Sequence, residues 1–570
     1  MLPASLLELG FAAFLSALAL YPRRPPKRVP LALAPFEPTK PIRRPPAREH
    51  MPLFSPIRGA NRTSVDSAQE WLLADPGPLF ELAGVHWPAL GYLNKVVLLS
   101  GRPGTGKTVS MKMLMASLGS LFSQLKMRWL VIDPTNGYLS YLYQVLPENI
   151  EIIRSTPQDE LGASWEIRKD ITSDSLNNAL QTALFPDALF KKAGDPFWYH
   201  KAREVTESEV TVYLDRSSEW RFADLIIPIK FPQFLRPLLA QSPRTRGMVD
   251  HELVGKLGRD IVATTSSVIN RMAVAAALWQ RATKTFSLRS FLNRQDAVLH
   301  LGFRPDLIPS LAGIANAMTY MLILMALEGD DETDFTYMCL DEGRFLDEVT
   351  GLPLIGARGR GAGLGAAVTC QGTPGLIASW GNDKVKELLD TISAWTTFGA
   401  GIETAQAFSK FVGQIEGVER SYGISTSEGT SHSFGRNSGG SSGLSGPSSS
   451  WGKNFSVTHS TNTTYSENFK LSLRDAILPS EITGLGRPVD GVLKGFTFNP
   501  DVGLFQFDAP FLDHFESLGA PPFRGIPARP DSDQRLLPWT TEDLQRLRLE
   551  LTPEFMEALR VTWGASGGVT

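Results

Sequence analysis

The stretch from Lys95 to Phe122 reads KVVLLS-GRPGTGKT-VSMKMLMASLGSLF. A short apolar β-type run leads into a glycine-rich octapeptide, and a helical pattern follows. The octapeptide, Gly101 to Thr108, satisfies GxxxxGK[ST] in full. Gly101, Gly104 and Gly106 let the backbone fold around an anion with its amides turned inward, and Thr105 completes the turn. The start of the following helix adds positive potential at the same point. Lys107 then reaches the β- and γ-phosphates of a nucleotide, and the Thr108 hydroxyl completes a Mg²⁺ shell. Strand, loop and helix in this order place the chain in the α/β class, with ATP and Mg²⁺ as expected cofactors.

Such a loop calls for a later strand that ends in a carboxylate. Phe335 to Glu342 (FTYMCLDE) supplies Asp341 at the C-terminal end of an apolar run, with Glu342 directly after it. Asp341 is expected to hold the metal and Glu342 to activate the attacking water. Arg128 to Asp133 (RWLVID) is the other apolar run with a terminal acid; Asp133, within DPTNG, reads as a residue that shapes a loop or walls the site. Further on, the run from Leu364 to Cys370 ends at Gln371, which could touch the γ-phosphate and report its state, or be an ordinary polar strand end. Arg358 and Arg360 lie in a Gly-rich loop, from which they could reach a phosphate across a subunit boundary or simply face solvent. Cys339 and Cys370 adjoin Asp341 and Gln371, and are expected to be small buried core residues with no redox role.

The chain has 570 residues, a formal net charge of -3, and only two cysteines. A disulfide scaffold is therefore excluded, and the eight scattered histidines make a zinc site improbable. Near-neutrality also excludes a histone-like blanket binder of nucleic acid. The net figure conceals an asymmetry. Nine Lys/Arg against Glu37 and Glu49 give the stretch from Tyr21 to Ala60 a charge near +7, leaving near -10 elsewhere. Any contact with DNA must then be local.

Residues 1–21 are apolar apart from Glu8 and a few small polar residues, with no basic run ahead of them. They read as a membrane-attachment segment rather than a cleaved leader, with an N-terminal packing helix as the alternative. The arginines that follow would lie on the cytoplasmic side. Residues 22–64, rich in Pro and Arg, read as a semi-rigid basic linker. Its charges could bind anionic lipid or nucleic acid, or serve only as a solvated spacer. The apolar run from Leu311 to Leu327 reads as a buried helix. Residues 421–467, mostly Ser, Gly, Thr and Asn, are expected to form a flexible loop, or a segment that orders on a partner. The rest divides into a nucleotide-binding domain in two parts, 65–172 and 285–515, an all-α insertion at 173–284, and a C-terminal tail at 516–570 with helices starting near Thr541 and Pro553.

With LLSGRPGTGKT, VIDPTNG, DPFWYHKAREV, FSLRSFL, LHLGF, CLDE, ARGRGAGLGAAVTCQG and LRDAILPSEITGL in that order, the chain resembles the coupling proteins of bacterial conjugation and type IV secretion, motors of the HerA/FtsK group. The likeness runs from about Leu93 to Pro510. It implies a RecA-like P-loop nucleotide-binding domain with an inserted all-α domain, assembled as a homo-hexamer with ATP sites between protomers. It assigns catalysis to Lys107, Glu342 and Gln371, the metal to Thr108 and Asp341, and a role in trans to Arg360, which fits the family position better than Arg358. It implies DNA, a relaxase or relaxosome, type IV secretion channel components and the inner membrane as partners, with the protein on the cytoplasmic face of the bacterial inner membrane. Many members begin with two transmembrane helices; this chain offers one marginal apolar segment.

The expected function is an ATP-hydrolysing DNA translocase that delivers relaxase-bound DNA to a secretion channel. A cytoplasmic HerA/FtsK-type translocase for repair or chromosome handling is one alternative. A nucleotide-gated substrate receptor with little turnover is another. A GTPase is disfavoured, since no NKxD-type motif occurs.

Overall fold

The apolar runs singled out above become neighbouring strands of one sheet. The computed structural model describes residues 54–74, 77–186, 195–303, 305–329, 334–346, 351–443, 446–511 and 528–564. In chain order the strands are β1 (Phe54–Gly59), β2 (Leu79–Leu82), β3 (Val85–Pro88), β4 (Val96–Ser100), β5 (Arg128–Asp133), β6 (Glu151–Arg154), β7 (Ser164–Trp165) and β8 (Thr285–Phe286). They continue with β9 (Ala297–Gly302), β10 (Thr336–Leu340), β11 (Leu364–Cys370), β12 (Ala394–Thr397), β13 (Gln414–Gly443), β14 (Gly446–Asp475), β15 (Val492–Asn499) and β16 (Gly503–Pro510). Nine of these form the central sheet in the order β16-β15-β12-β4-β11-β10-β5-β9-β6. All neighbours from β12 to β6 are parallel, and β15 and β16 close one edge as an antiparallel hairpin.

Every residue of β4, β5, β10 and β11 is buried, as expected of parallel strands covered on both faces. Alternate side chains feed two cores. Leu98, Ile132 and Val368 enter one, while Leu99, Val131 and Ala367 enter the other. The order of strands decides the site. β11 lies between β4 and β10, so the residue after β11 falls between the phosphate loop and the Asp341–Glu342 pair. Gly365 makes this close pairing possible. A Cβ there would lie 1.6 Å from the Leu93 carbonyl oxygen, so no larger residue fits without moving the backbone.

The helix after the phosphate loop is α1 (Lys107–Leu121). Between β7 and β8 the described elements are helical, notably α2 (Asp174–Leu184), α3 (Pro196–Asp215), α4 (Gly255–Ile269) and α5 (Ala273–Gln280). Ser173 and Asp195 cap α2 and α3, and Pro196 occupies the first turn of α3. Because β7 pairs with β8 in parallel, the chain leaves and re-enters the body of the molecule at one place. Buried Asp170 fastens that point, accepting from Trp165 Nε1 at 2.6 Å and from the Leu288 and Arg289 amides at 2.8 and 2.9 Å.

The run from Leu311 to Leu327 is interior. It belongs to α6 (Ile308–Ala326), whose Leu311, Ile314, Met318 and Leu322 are fully buried. Among the described residues, α6 and the stretch Gly255–Gln280 have the length and apolarity to cross a membrane, but both pack within the protein, α6 the more completely.

Two expectations change. Within the basic linker expected over residues 22–64, Phe54–Gly59 is strand β1, paired antiparallel with β13. Pro56 is tolerated because β1 lies at a sheet edge and its register shifts between Pro56 and Arg58. The flexible loop expected at 421–467 is instead the greater part of β13 and β14, an antiparallel ribbon paired from Gln414–Asp475 to Gly443–Gly446. Its Ser/Gly composition does not reveal the residue-by-residue antiparallel pairing that the two strands make. The membrane-attachment segment at 1–21 and the linker up to residue 53 lie outside the described residues.

The C-terminal part packs on the helical segment through α7 (Thr541–Arg546) and α8 (Pro553–Trp563). Asp224 organises this contact. Its oxygens accept from Trp539 Nε1 at 2.7 Å and from both Arg546 terminal nitrogens at 2.8 and 3.0 Å. Ser218 donates to the Leu547 carbonyl at 2.6 Å, and Gln233 to Thr562 at 2.6 Å.

Candidate nucleotide site

The phosphate loop folds as its glycines permit. Gly104 and Gly106 have φ of 77° and 113°, in the region other residues avoid. At Gly106 a Cβ would lie 2.0 Å from Leu493 Cδ1, so the position is closed sterically as well. Thr105, buried, donates its hydroxyl to the Arg102 carbonyl at 2.7 Å and pins the loop, which returns against Gly101. Lys107 opens α1 and is buried; its Nζ donates to the Gly101 carbonyl at 2.9 Å and lies 3.9 Å from Glu342. Burial pulls the Lys107 ammonium below its usual range, with the Glu342 and Asp341 charges opposing. Thr108 follows on the exposed face of the first turn.

β10 delivers the two acids differently. Asp341 continues the strand, donating its amide to the Ile132 carbonyl at 3.1 Å. Glu342 then turns into the left-handed region with φ of 49°, unusual for a side chain of that size and typical of functional sites. Thr369 of β11 fixes both. Its hydroxyl donates to Asp341 Oδ1 at 2.6 Å and accepts the Glu342 amide at 2.8 Å. Burial, with the Asp133 and Glu342 charges nearby, pushes the Asp341 carboxyl up to about 6 against the pull of that hydrogen bond.

Gln371 emerges from β11 between these parts and donates to Glu342 Oε1 at 3.1 Å. Arg344 lies 3.8 Å from Glu342 Oε2 and rests on the Phe345 ring. That second oxygen is buried and accepts no hydrogen bond among the described residues. Thus Gly101, Gly104, Thr105, Gly106, Lys107, Thr108, Asp341, Glu342 and Gln371 converge at one end of the sheet.

Arg360 does not join them. It precedes β11, whereas Gln371 follows it, and the seven residues of the strand separate them by roughly 20 Å at ~3.3 Å per residue. Arg358 and Arg360 are both exposed there, and Asn94 donates to the Arg360 carbonyl at 3.3 Å.

Asp133 shapes a loop, as its surroundings suggested. It accepts from the Thr135 amide and hydroxyl and from the Gly137 and Tyr138 amides, and His300 Nε2 lies 3.2 Å away. Burial disfavours its charge, yet His300 and these amides hold the Asp133 carboxyl below the ordinary range. Cys339 and Cys370 are buried, and burial pushes the Cys370 thiol up to about 12 and raises that of Cys339 too, so neither is a reactive thiolate at neutral pH.

Sequence reasoning passed over Thr369, Arg344 and Arg487. Thr369 had a signal, as the one hydroxyl in LGAAVTC. Arg487 had none: its guanidinium lies 3.6 Å from where a Gly104 Cβ would stand, brought there by the turn before β15.

Residues 81–495 match the family model of the type IV secretion-system coupling protein DNA-binding domain. The chain belongs to this family. The fold agrees: the unbound bacterial conjugative coupling protein TrwBdeltaN70 superposes with a TM-score of 0.62 at 16% identity, covering 80% of this chain and 94% of that one. Plasmid coupling protein TrwB in complex with ADP and Mg²⁺ gives 0.61 at 16% identity, over 80% and 95% of the two chains. The same protein with a non-hydrolysable ATP analogue gives 0.61 at 16%, over 81% and 95%. No curated protein matches the chain in sequence. The shared architecture is the mixed α/β, RecA-like P-loop fold described above.

Proposed function

We propose that this coupling protein is an ATP-driven DNA translocase and substrate receptor that passes relaxase-bound DNA to a type IV secretion channel, working as a homo-hexamer on the cytoplasmic face of the bacterial inner membrane. The observation that carries the reading is the convergence of Lys107, Glu342 and Gln371 at adjoining strand ends, within a chain of the coupling-protein family.

The residues present fit ATP with Mg²⁺. Glycine amides and the start of α1 form an anion cradle, Lys107 is held at its rim, and a buried Glu342 oxygen is free to accept a hydrogen bond. Thr108 and Asp341 would hold the Mg²⁺, which neutralises charge on the transferring phosphoryl group when bound. Glu342 is placed to orient water and take its proton. Gln371, donating to Glu342 Oε1, links the carboxylate to the end of β11 and thereby to the state of the γ-phosphate. Lys107 turns from the Gly101 carbonyl to the phosphates. Arg360, too far from its own phosphate loop, serves the site of the neighbouring protomer, which ties hydrolysis to contact between subunits. The helical segment at 173–284 is the all-α domain that reads the DNA-processing complex.

Transfer of a mobilisable plasmid tests the reading. A strain lacking this gene should regain transfer with the intact chain and not with Lys107→Ala. Full transfer by Lys107→Ala, or loss of chromosome segregation in place of transfer, would overturn it.

A further inference from the structure

The segment that leads into β15, Thr483 to Leu493, runs along the phosphate loop and touches it at successive points. The Thr483 carbonyl accepts from Arg102 Nη2 at 2.8 Å. The Leu485 carbonyl occupies the place a side chain at Gly399 would take, and Gly399 in turn accepts the Arg102 amide at 2.8 Å. Leu493 closes over Gly106, with Pro488 Cγ 3.5 Å from the position of a Cβ there. Between these anchors stands Arg487. Its Nε, Cδ and Cζ lie 3.6, 3.9 and 3.9 Å from where a Cβ of Gly104 would stand, at the exposed middle of the loop.

The root of this arginine is fixed. The Gly484 and Leu485 amides donate to the Ser480 and Ile482 carbonyls at 2.9 and 3.2 Å, and the Val492 amide to Val489 at 3.0 Å. Pro488 locks its own φ and disfavours helical backbone at Arg487. The head is free. Arg487 is exposed and makes no hydrogen bond or ion pair among the described residues. The other cations at the loop are engaged: Lys107 donates to Gly101 and faces Glu342, Arg344 stands by Glu342 on the Phe345 ring, and Arg102 donates to Gly399 and Thr483. A guanidinium is permanently charged and presents paired N–H groups that match the oxygens of a phosphate.

We propose that Arg487 is a nucleotide-binding residue, whose guanidinium turns from Gly104 onto the diphosphate that ATP and ADP share. A fixed turn carrying a free head suits this task, because only one side chain has to be ordered when the nucleotide arrives. The contact serves substrate and product alike, so it governs affinity, whereas sensing of the γ-phosphate is left to Gln371. The proposal rests on the ATP reading of the site.

Isothermal titration calorimetry of the full detergent-solubilised chain tests it, with ADP and with a non-hydrolysable ATP analogue, each with Mg²⁺, at low and high salt. The parent is compared with Arg487→Ala and Arg487→Lys. Arg487→Ala should weaken both nucleotides by a similar factor of about ten or more, as expected for one lost hydrogen bond to a charged group. Arg487→Lys, which keeps the charge without the paired N–H groups, should fall between. Affinity should also depend less on salt in Arg487→Ala than in the parent. Unchanged affinity for both nucleotides overturns the proposal, and so does a loss confined to the ATP analogue, which would place the contact on the γ-phosphate. Equal losses in Arg487→Ala and Arg487→Lys, or a loss with the salt dependence of the parent, also overturn it, since the residue would then shape the turn or touch the base. If the parent binds neither nucleotide, the ATP reading itself falls and the proposal with it.

Discussion

Thr369→Val isolates the hydroxyl that holds both acids of the ATP site. Valine keeps the volume of this fully buried residue but removes the donor to Asp341 and the acceptor of the Glu342 amide. A hydrogen bond to a carboxylate contributes about 1.5–3 kcal/mol, and a stranded buried amide costs roughly 1–3 kcal/mol. Asp341 loses its one side-chain anchor on β11, and the left-handed turn at Glu342 loses the bond that holds its amide. Removing such a support from a metal-holding carboxylate typically lowers metal affinity about 10–100-fold. A Mg²⁺ titration of ATP hydrolysis should therefore show half-saturation displaced upward by that factor in Thr369→Val, with Thr369→Ser close to the parent. Thermal unfolding run in parallel separates loss of the site from loss of the fold. An unchanged Mg²⁺ half-saturation with full rate in Thr369→Val would refute the reasoning.

Other expectations follow from single contacts. Gly106→Ala sets a Cβ against Leu493 at a left-handed φ, which costs about 1–2 kcal/mol in the backbone alone; ATP affinity measured by calorimetry should fall while the helices stay folded by circular dichroism. Asp224→Ala strands the buried end of Arg546 and the Trp539 indole, so denaturant unfolding should show a loss of about 3–5 kcal/mol, with Lys107-dependent ATP binding retained before unfolding. Arg360→Ala should bind ATP normally and hydrolyse it poorly. Mixing it with Lys107→Ala should restore part of the rate, because the Arg360 of one chain then serves the intact loop of the other; no recovery would argue against action between subunits.

The parts of the site that lie within one short segment were legible in the sequence. Gly101 to Thr108 carries its chemistry in its spacing, and Asp341–Glu342 ends an apolar run. The structure adds what only strand order supplies. Thr369 and Gln371 meet the acids because β11 inserts between β4 and β10, and no local pattern states that. Arg487 and the contact of Asp224 with Trp539 and Arg546 join residues hundreds of positions apart, where sequence periodicity is silent. At 421–467 the Ser/Gly composition pointed to a loop, whereas the backbone pairs residue by residue into β13 and β14, a long-range register that composition does not state. In the linker, prolines concealed β1, since an edge strand tolerates the missing donor at Pro56.

The central claim, that ATP hydrolysis at this site is coupled to DNA, is tested most directly by one rate. The full chain purified in detergent should hydrolyse ATP faster when single- or double-stranded DNA is added, and this stimulation should vanish in both Lys107→Ala and Glu342→Gln. Nucleotide binding without turnover under any DNA condition, or hydrolysis that persists in Glu342→Gln, would contradict the account.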